Sequence, residues 1–219
     1  MEIVIPKRYP SMDPHMFPVF LAGPVLGGGD WQTDLITAFH KEVRERDGAG
    51  DYLFKMIFPR LRFIVPCRWN EKHWDGMNRG FSDYLVKMYT LPEKDRKDIK
   101  QTQTYWEAMF LSRILKEKWG LIVFGLFPEN ENKPRKDGNP YARDTYGEVG
   151  RYLTMAAYEQ AEDNVIVYGH PTFLGWDVQK KNIAIFNSEK LNIVEGGLRD
   201  LTSRMAEVIP ELLEKKSVL

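Results

Sequence analysis

The clearest candidates for chemistry in this chain are acidic side chains that lie beside glycine or tryptophan. The run Tyr146-Gly147-Glu148-Val149-Gly150-Arg151 places a glutamate between two glycines, close to the predicted start of a helix. Glu107 follows Trp106 on another predicted helix. Carboxylates in such positions can act as nucleophiles, acids or bases. The same patterns fit an ordinary helix-start glutamate, which the helix dipole stabilises by ~0.3–1 kcal/mol, and a glutamate on a solvated helix face.

A second candidate is the glycine-rich run Gly23-Pro24-Val25-Leu26-Gly27-Gly28-Gly29-Asp30, which comes between a predicted strand and a predicted helix. Glycine lets the backbone approach a ligand closely, and the start of a helix favours an anion or a polar oxygen. Gly-Lys-Ser/Thr does not follow the run, and its spacing differs from that of dinucleotide-binding motifs. The run therefore fits a ligand-binding loop and a simple turn equally well.

Composition excludes several other classes of protein. Lys plus Arg and Asp plus Glu both number 31, so no overall basic field supports binding to a nucleic-acid polymer. The single cysteine, Cys67, excludes an internal disulfide and a cysteine-rich zinc site, and it favours a cytoplasmic location. The four histidines lack metal-ligand spacing, and no Gly-x-Ser-x-Gly motif occurs. We expect no metal, no cofactor and no membrane-spanning segment.

The elements that must position these residues alternate between strand and helix along the chain. This alternation predicts an α/β fold, a flavodoxin/Rossmann-like three-layer sandwich around a mostly parallel sheet of about five strands. The predicted strands are 19–22, 62–66, 121–126, 164–168 and 183–186. The predicted helices are 31–46, 97–118, 145–161 and 198–215. Ligands of such sheets bind beyond the carboxyl ends of the strands, which selects segments 23–31, 127–148 and 169–176.

The helices also predict which side chains form the core. The first helix places Leu35, Ile36, Phe39 and Val43 on one face. For the second helix the candidate core residues are Tyr105, Met109, Ile114 and Leu115. We expect one domain over residues 1–219, with an irregular surface arm at 1–16 and an insertion at about 67–96.

The order of these blocks resembles the nucleoside 2-deoxyribosyltransferase-like family, which is related to deoxynucleoside monophosphate N-glycosidases. Val19-Phe20-Leu21-Ala22-Gly23-Pro24 followed by Asp30-Trp31 is similar to the family's opening. Trp106-Glu107, the 121–124 strand and the Tyr146–Arg151 block follow in the family's order. The similarity covers residues 19 to about 170. The insertion at 67–96 and a longer stretch between Glu107 and the next strand depart from the family.

The resemblance implies a role for each matching residue. Glu148 corresponds to the nucleophile, and Glu107 to the acidic residue that holds the sugar. A further acid in the preceding loop assists the departing base; Glu129, Asp137 and Asp144 compete for this role, and Asp144 is preferred because it is nearest to Glu148. The remaining predicted substrate-binding residues are Gly23, Pro24, Gly27, Gly28, Gly29, Asp30, Trp106, Gly147 and Arg151.

The function implied by the resemblance is cleavage of the N-glycosidic bond of a nucleoside or nucleotide, with transfer of the sugar to another base. Such enzymes commonly complete their sites between subunits, so a homo-oligomer is expected. Hydrolysis of nucleoside 5′-monophosphates, cleavage of a larger substrate such as a dinucleotide, and a non-catalytic nucleotide-binding module remain as alternatives. The enzyme hypotheses require Glu148, Glu107 and the Gly23 loop to converge on one cleft.

Overall fold

A computed structural model describes residues 1–4, 13, 15–25, 27–49, 57–66, 87–89, 99–132, 134–136, 138–185 and 191–217. The strands are β1 (Glu2–Val4), β2 (Phe17–Ala22), β3 (Leu61–Ile64), β4 (Lys87–Tyr89), β5 (Leu121–Leu126), β6 (Val165–Gly169) and β7 (Asn192–Glu195). The α-helices are α1 (Trp31–Gly48), α2 (Ile99–Glu117), α3 (Arg143–Glu159), α4 (Trp176–Ala184) and α5 (Leu198–Ser217). Short 3-10 helices cover Phe58–Arg60 and Glu162–Asn164.

The strands form one parallel sheet, in the order β4-β1-β3-β2-β5-β6-β7. The predicted α/β sandwich is therefore confirmed, with seven described strands instead of about five. The five neighbouring strands β3-β2-β5-β6-β7 have the flavodoxin-like order 2-1-3-4-5 when they are renumbered along the chain. In this order the chain reverses its direction across the sheet between β2 and β5, so ligands are expected at the carboxyl ends of these two strands.

Two hydrophobic layers hold the helices on opposite faces of the sheet. Successive strand residues point to opposite faces, so Val19 and Leu21 pack on one side while Phe20 and Ala22 pack on the other. The first side is covered by α1 and α5, and the second by α2, α3 and α4. The predicted core face of α1 is confirmed, because each of its four residues is fully buried.

The N-terminal arm is not irregular throughout, contrary to the sequence prediction. Its residues Glu2–Val4 form β1, which pairs with β3 on one side and with β4 on the other. Ile3 and Val4 are completely buried. Three residues are too few to show an alternating pattern, and the prolines that follow conceal the strand in the sequence. Of the predicted insertion at 67–96, only β4 lies among the described residues, and it extends the sheet beyond β1.

The predicted strand at 183–186 is also wrong. Ile183 belongs to α4, and Ile185, just after this helix, is 78% exposed. Trp176 and Ile183 are the buried side chains of α4, and their spacing of seven residues puts both on one helical face. The last strand is β7, which a sequence pattern could not identify because Val194 is its only buried residue.

On α2 the predicted core face is wrong at Tyr105, while Met109 packs partly buried against the core as predicted. Tyr105 is 71% exposed, whereas Trp106 and Phe110 are buried. Ile114 and Leu115 are buried as predicted. Among the described residues, none of the helices is sufficiently long and apolar to cross a membrane.

Candidate active site

Three loops meet at the carboxyl ends of the central strands: the first loop (residues 23–30), the second loop (127–142) and the third loop (170–175). The first loop leads from β2 to α1 on one face of the sheet, and the second leads from β5 to α3 on the other. Because β2 and β5 are paired, the two loops start side by side and then diverge. This is the point at which the topology favours a ligand site.

Contacts with the second loop explain two glycines of the first loop, Gly27 and Gly29. The N–H of Asn130 donates a hydrogen bond of 2.7 Å to the carbonyl oxygen of Gly27. Gly27 has a φ of 82°, and a Cβ atom there would lie 3.1 Å from both the Arg135 nitrogen and a Glu129 carboxylate oxygen. Gly29 has a φ of 68°. These conformations and close contacts favour glycine even without a ligand.

The beginning of the first loop is filled by the side chain of Trp31. A Cβ atom on Gly23 would lie 2.5 Å from the Gly125 oxygen and 2.6 Å from the indole ring. The indole N–H of Trp31 donates a 2.9 Å hydrogen bond to the Pro24 oxygen. The indole also stacks on Phe127, with the ring centroids 4.9 Å apart. Gly23 and Pro24 therefore hold Trp31 against the ends of β2 and β5.

Asp30 directly precedes α1, as predicted, but its side chain does not cap the helix. Its carbonyl oxygen accepts hydrogen bonds from the N–H groups of Thr33 and Asp34. Partial burial is the largest cause that raises the pKa of Asp34, and the charge of Asp30 raises it further. The start of α1 therefore carries two neighbouring acidic groups, which oppose the attraction of the helix dipole for an anion.

Tyrosines connect the second loop and α3 to their surroundings. The hydroxyl of Tyr141 donates a 2.8 Å hydrogen bond to the Phe127 oxygen at the start of the second loop. The hydroxyl of Tyr146 donates a 2.7 Å hydrogen bond to the Leu174 oxygen in the third loop. These bonds fix the start of α3, and therefore the position of Glu148.

Glu148 lies in the second turn of α3, because this helix begins at Arg143 and not at the predicted Thr145. Asp144 and Tyr152 lie one turn before and one turn after it. Residues four apart on a helix are neighbours on the same face. The three side chains Asp144, Glu148 and Tyr152 therefore form a row along α3.

Glu107 approaches this row from α2, which contacts α3. Burial is the largest cause that raises the pKa of Glu148 to about 7, and the charges of Glu107 and Asp144 raise it further. Arg151 acts in the opposite direction. The structure thus brings together Glu148, Glu107 and Asp144, which we call the carboxylate cluster. A strongly perturbed carboxyl group of this kind is characteristic of active sites.

Asp144 connects the carboxylate cluster to the second loop. Its carboxylate lies 3.1 Å from the guanidinium of Arg143 and 4.0 Å from that of Arg135. Glu129, an alternative acid, accepts a 2.7 Å hydrogen bond from the backbone N–H of Arg135 and lies against Gly27 instead. The other alternative, Asp137, lies outside the described residues.

The remaining predicted substrate-binding residues differ in how accessible they are. Trp106 is completely buried and packs against Phe20 and Phe110, which favours a packing role, and its predicted contact with a substrate stays a prediction. It fixes the orientation of α2 and thereby of Glu107. Gly147 is exposed, and a Cβ atom there would meet no atom within 4 Å. Arg151 is exposed, and its guanidinium lies 5.4 Å from the ring centre of Tyr152.

The described contacts join the first loop to Glu129, Asn130 and Arg135, and not directly to Glu148. Arg135 and Asp144 connect the two halves of the site. Neither Arg135 nor Tyr152 is among the site residues that the sequence predicts. Arg135 occurs in a polar loop without a motif, and Tyr152 resembles an ordinary core residue.

Among the residues that the structure describes, no group of three or more His, Cys, Asp or Glu side chains is arranged to hold a metal ion. Neither protein-family models nor curated proteins gave a match to the chain.

Proposed function

We propose that this protein is an enzyme that cleaves the N-glycosidic bond of a nucleoside and transfers the sugar to another base. The observation that carries the proposal is the approach of Glu148 on α3 to Glu107 on α2, where partial burial and the charge of Glu107 raise the pKa of Glu148 to about 7. The family resemblance of the sequence supports the same function. We also propose that the active form is a homo-oligomer, as the resemblance implies, and that the protein is cytoplasmic.

The chemistry suits a pair of carboxylates. As the N-glycosidic bond breaks, positive charge develops at C1′ and at the ring oxygen of the sugar. Two carboxylates that repel each other in the free protein both gain from a cation placed between them. Their stabilising effect is therefore larger in the transition state than in the ground state, which is the requirement for catalysis.

The proposed roles follow the positions of the side chains. Glu148 attacks C1′ and forms a glycosyl ester, the base leaves with its bonding electrons, and an acceptor base later attacks C1′ to release the carboxylate. Glu107 accepts hydrogen bonds from sugar hydroxyls. Asp144, which is exposed on the first turn of α3, takes a proton from solvent and passes it to the departing base.

The charges near the first loop favour a nucleoside over a nucleoside 5′-monophosphate. Asp30 and Asp34 lie at the start of α1, and Glu129 lies against Gly27. A phosphate held by the first loop would be repelled by these carboxylates. A neutral nucleoside avoids this repulsion.

The test is incubation of the protein with a panel of nucleosides and nucleoside 5′-monophosphates, with and without an acceptor base, followed by chromatography. We expect new nucleosides only when an acceptor base is present. Glu148→Gln should lower the rate by at least about a thousandfold because it removes the nucleophile. Glu159→Gln, near the end of the same helix, is the matched control and should keep the rate of the unaltered protein.

The outcomes separate the alternatives. Free base without exchange would identify a hydrolase, and activity only on monophosphates would contradict the charge argument. Binding of nucleosides without turnover would identify a non-catalytic module. If Glu148 is the nucleophile, kcat/KM should rise with pH through about 7, since its pKa in the free protein is about 7 and only the ionised form attacks. A rate that falls over this range would contradict the nucleophile role.

A further inference from the structure

Tyr152 is a polar group next to the carboxylate cluster for which the proposed function has no role. It lies one helical turn after Glu148 on α3, so their side chains are neighbours on one face. Its ring is buried in the core between the sheet and the helices α2 and α3. A core position alone would be satisfied by phenylalanine, which lacks the hydroxyl.

The hydroxyl of Tyr152 lies in the field of both glutamates. Burial is the largest cause that raises the pKa of Tyr152; Arg151 opposes it, while Glu148 and Glu107 raise it further. Within the part of the chain that the structure describes, this hydroxyl forms no hydrogen bond. A tyrosine hydroxyl without a partner in the protein remains available as a donor, and an ionised carboxylate is a strong acceptor for an O–H donor.

We propose that Tyr152 is a positioning residue whose hydroxyl donates a hydrogen bond to the carboxylate of Glu148 when that carboxylate is ionised. The bond restricts rotation of the Glu148 side chain and directs one carboxylate oxygen toward the substrate. The proposal rests on the proposed function in assigning the reaction to Glu148, but the hydrogen bond itself can be measured without turnover.

Other charged groups also face Glu148 and must be kept constant in the test. Glu107 faces it from α2, and Asp144 and Arg151 face it from α3. Tyr152→Phe removes only the hydroxyl and leaves these groups and the ring in place. Tyr158→Phe is the matched control, because Tyr158 lies on the same helix with 85% of its surface exposed.

The experiment is a carbon-13 NMR titration of the glutamate carboxyl groups, with the Glu148 signal assigned by its loss in Glu148→Gln. Removal of a donor to the ionised form disfavours that form. We expect Tyr152→Phe to raise the pKa of Glu148 by about one unit, a tenfold change in its ionisation equilibrium. Tyr158→Phe should leave the pKa unchanged. An unchanged or lower Glu148 pKa in Tyr152→Phe would overturn the proposal.

Failure of this proposal and failure of the proposed function give different results. If the titration shows the expected rise but no nucleoside is cleaved, the hydrogen bond stands and the reaction is wrong. If nucleosides are cleaved but the titration shows no rise, the nucleophile stands and Tyr152 serves only in packing.

Discussion

A glutamate whose pKa is about 7 destabilises the folded protein whenever it is ionised. For Glu148 the cause is burial, increased by the charges of Glu107 and Asp144. Active sites commonly retain such unfavourable arrangements because the substrate or the transition state relieves them. The repulsion within the carboxylate cluster therefore affects stability and, in the proposed function, catalysis.

This cost leads to a prediction about stability and pH. The folded pKa of Glu148 is raised from 4.5 to about 7, so stability from this group is present below pH 4.5 and is lost as the pH rises through 7. Glu148→Gln removes the ionisable group and therefore this pH-dependent loss of stability. At pH 8 it should increase the free energy of unfolding by up to about 3 kcal/mol, since one pKa unit corresponds to about 1.4 kcal/mol.

The measurement is urea denaturation of both proteins between pH 4.5 and pH 8. The stabilising effect of Glu148→Gln should disappear toward pH 4.5. Glu211→Gln, at an exposed position on α5, is the control and should give a small difference at every pH. A Glu148→Gln protein that is less stable than the original at pH 8 would show that the ionised carboxylate is well compensated.

At the scale of elements, the helix α3 contains two glycines in positions that do not need glycine. A Cβ atom added at Gly147 or Gly150 would meet no atom within 4 Å. Glycine inside a helix costs about 0.5–1 kcal/mol relative to alanine. Open helix surface next to Glu148 is consistent with the approach of a ligand, as the proposed function requires.

We predict that Gly150→Ala increases the free energy of unfolding by about 0.5–1 kcal/mol. Gly169→Ala is the contrasting variant, because its Cβ would overlap the ring of the buried Trp176. Such overpacking typically costs about 1–3 kcal/mol. Both values follow from denaturation curves at one pH. Equal destabilisation by the two variants would show that another part of the protein, or a second copy, covers this face of α3.

The elements differ in how far the sequence could predict them. β5 was predicted correctly because it is apolar throughout and is buried on both faces. The fifth strand was misplaced because Ile183 and Ile185 lie in a short apolar run that fits a strand or a helix. On α2, tertiary packing selected Trp106 instead of Tyr105, although both are aromatic residues that could face the core.

The candidate site was partly predictable for a topological reason. α2 precedes β5 and α3 follows it, and successive right-handed connections that proceed in one direction across the sheet place their helices on one face. This explains why Glu107 and Glu148 meet. The contact between Gly27 and the second loop depends on loop conformation, which the sequence pattern does not determine.

At the scale of the whole molecule, the N-terminus is an integral part of the sheet. The register pairs Glu2 with Arg62 across β1 and β3, and the side chains form an ion pair of 2.6 Å. Arg62 is buried, so removal of Glu2 would weaken the compensation of a charge in a poorly solvated position. β1 thus joins the β4 side of the sheet to the strands that carry the candidate site.

This position of β1 predicts a large effect of Ile3→Ala. Ile3 is completely buried in the layer that also holds α1 and α5, and truncation of such a side chain costs about 2–5 kcal/mol. The control is Ile193→Ala on β7, where 45% of the side chain is exposed and the expected loss is smaller. Urea denaturation of the two variants at the same pH measures the difference. If Ile3→Ala costs no more than Ile193→Ala, then β1 does not belong to the folded core, and the sheet begins at β3.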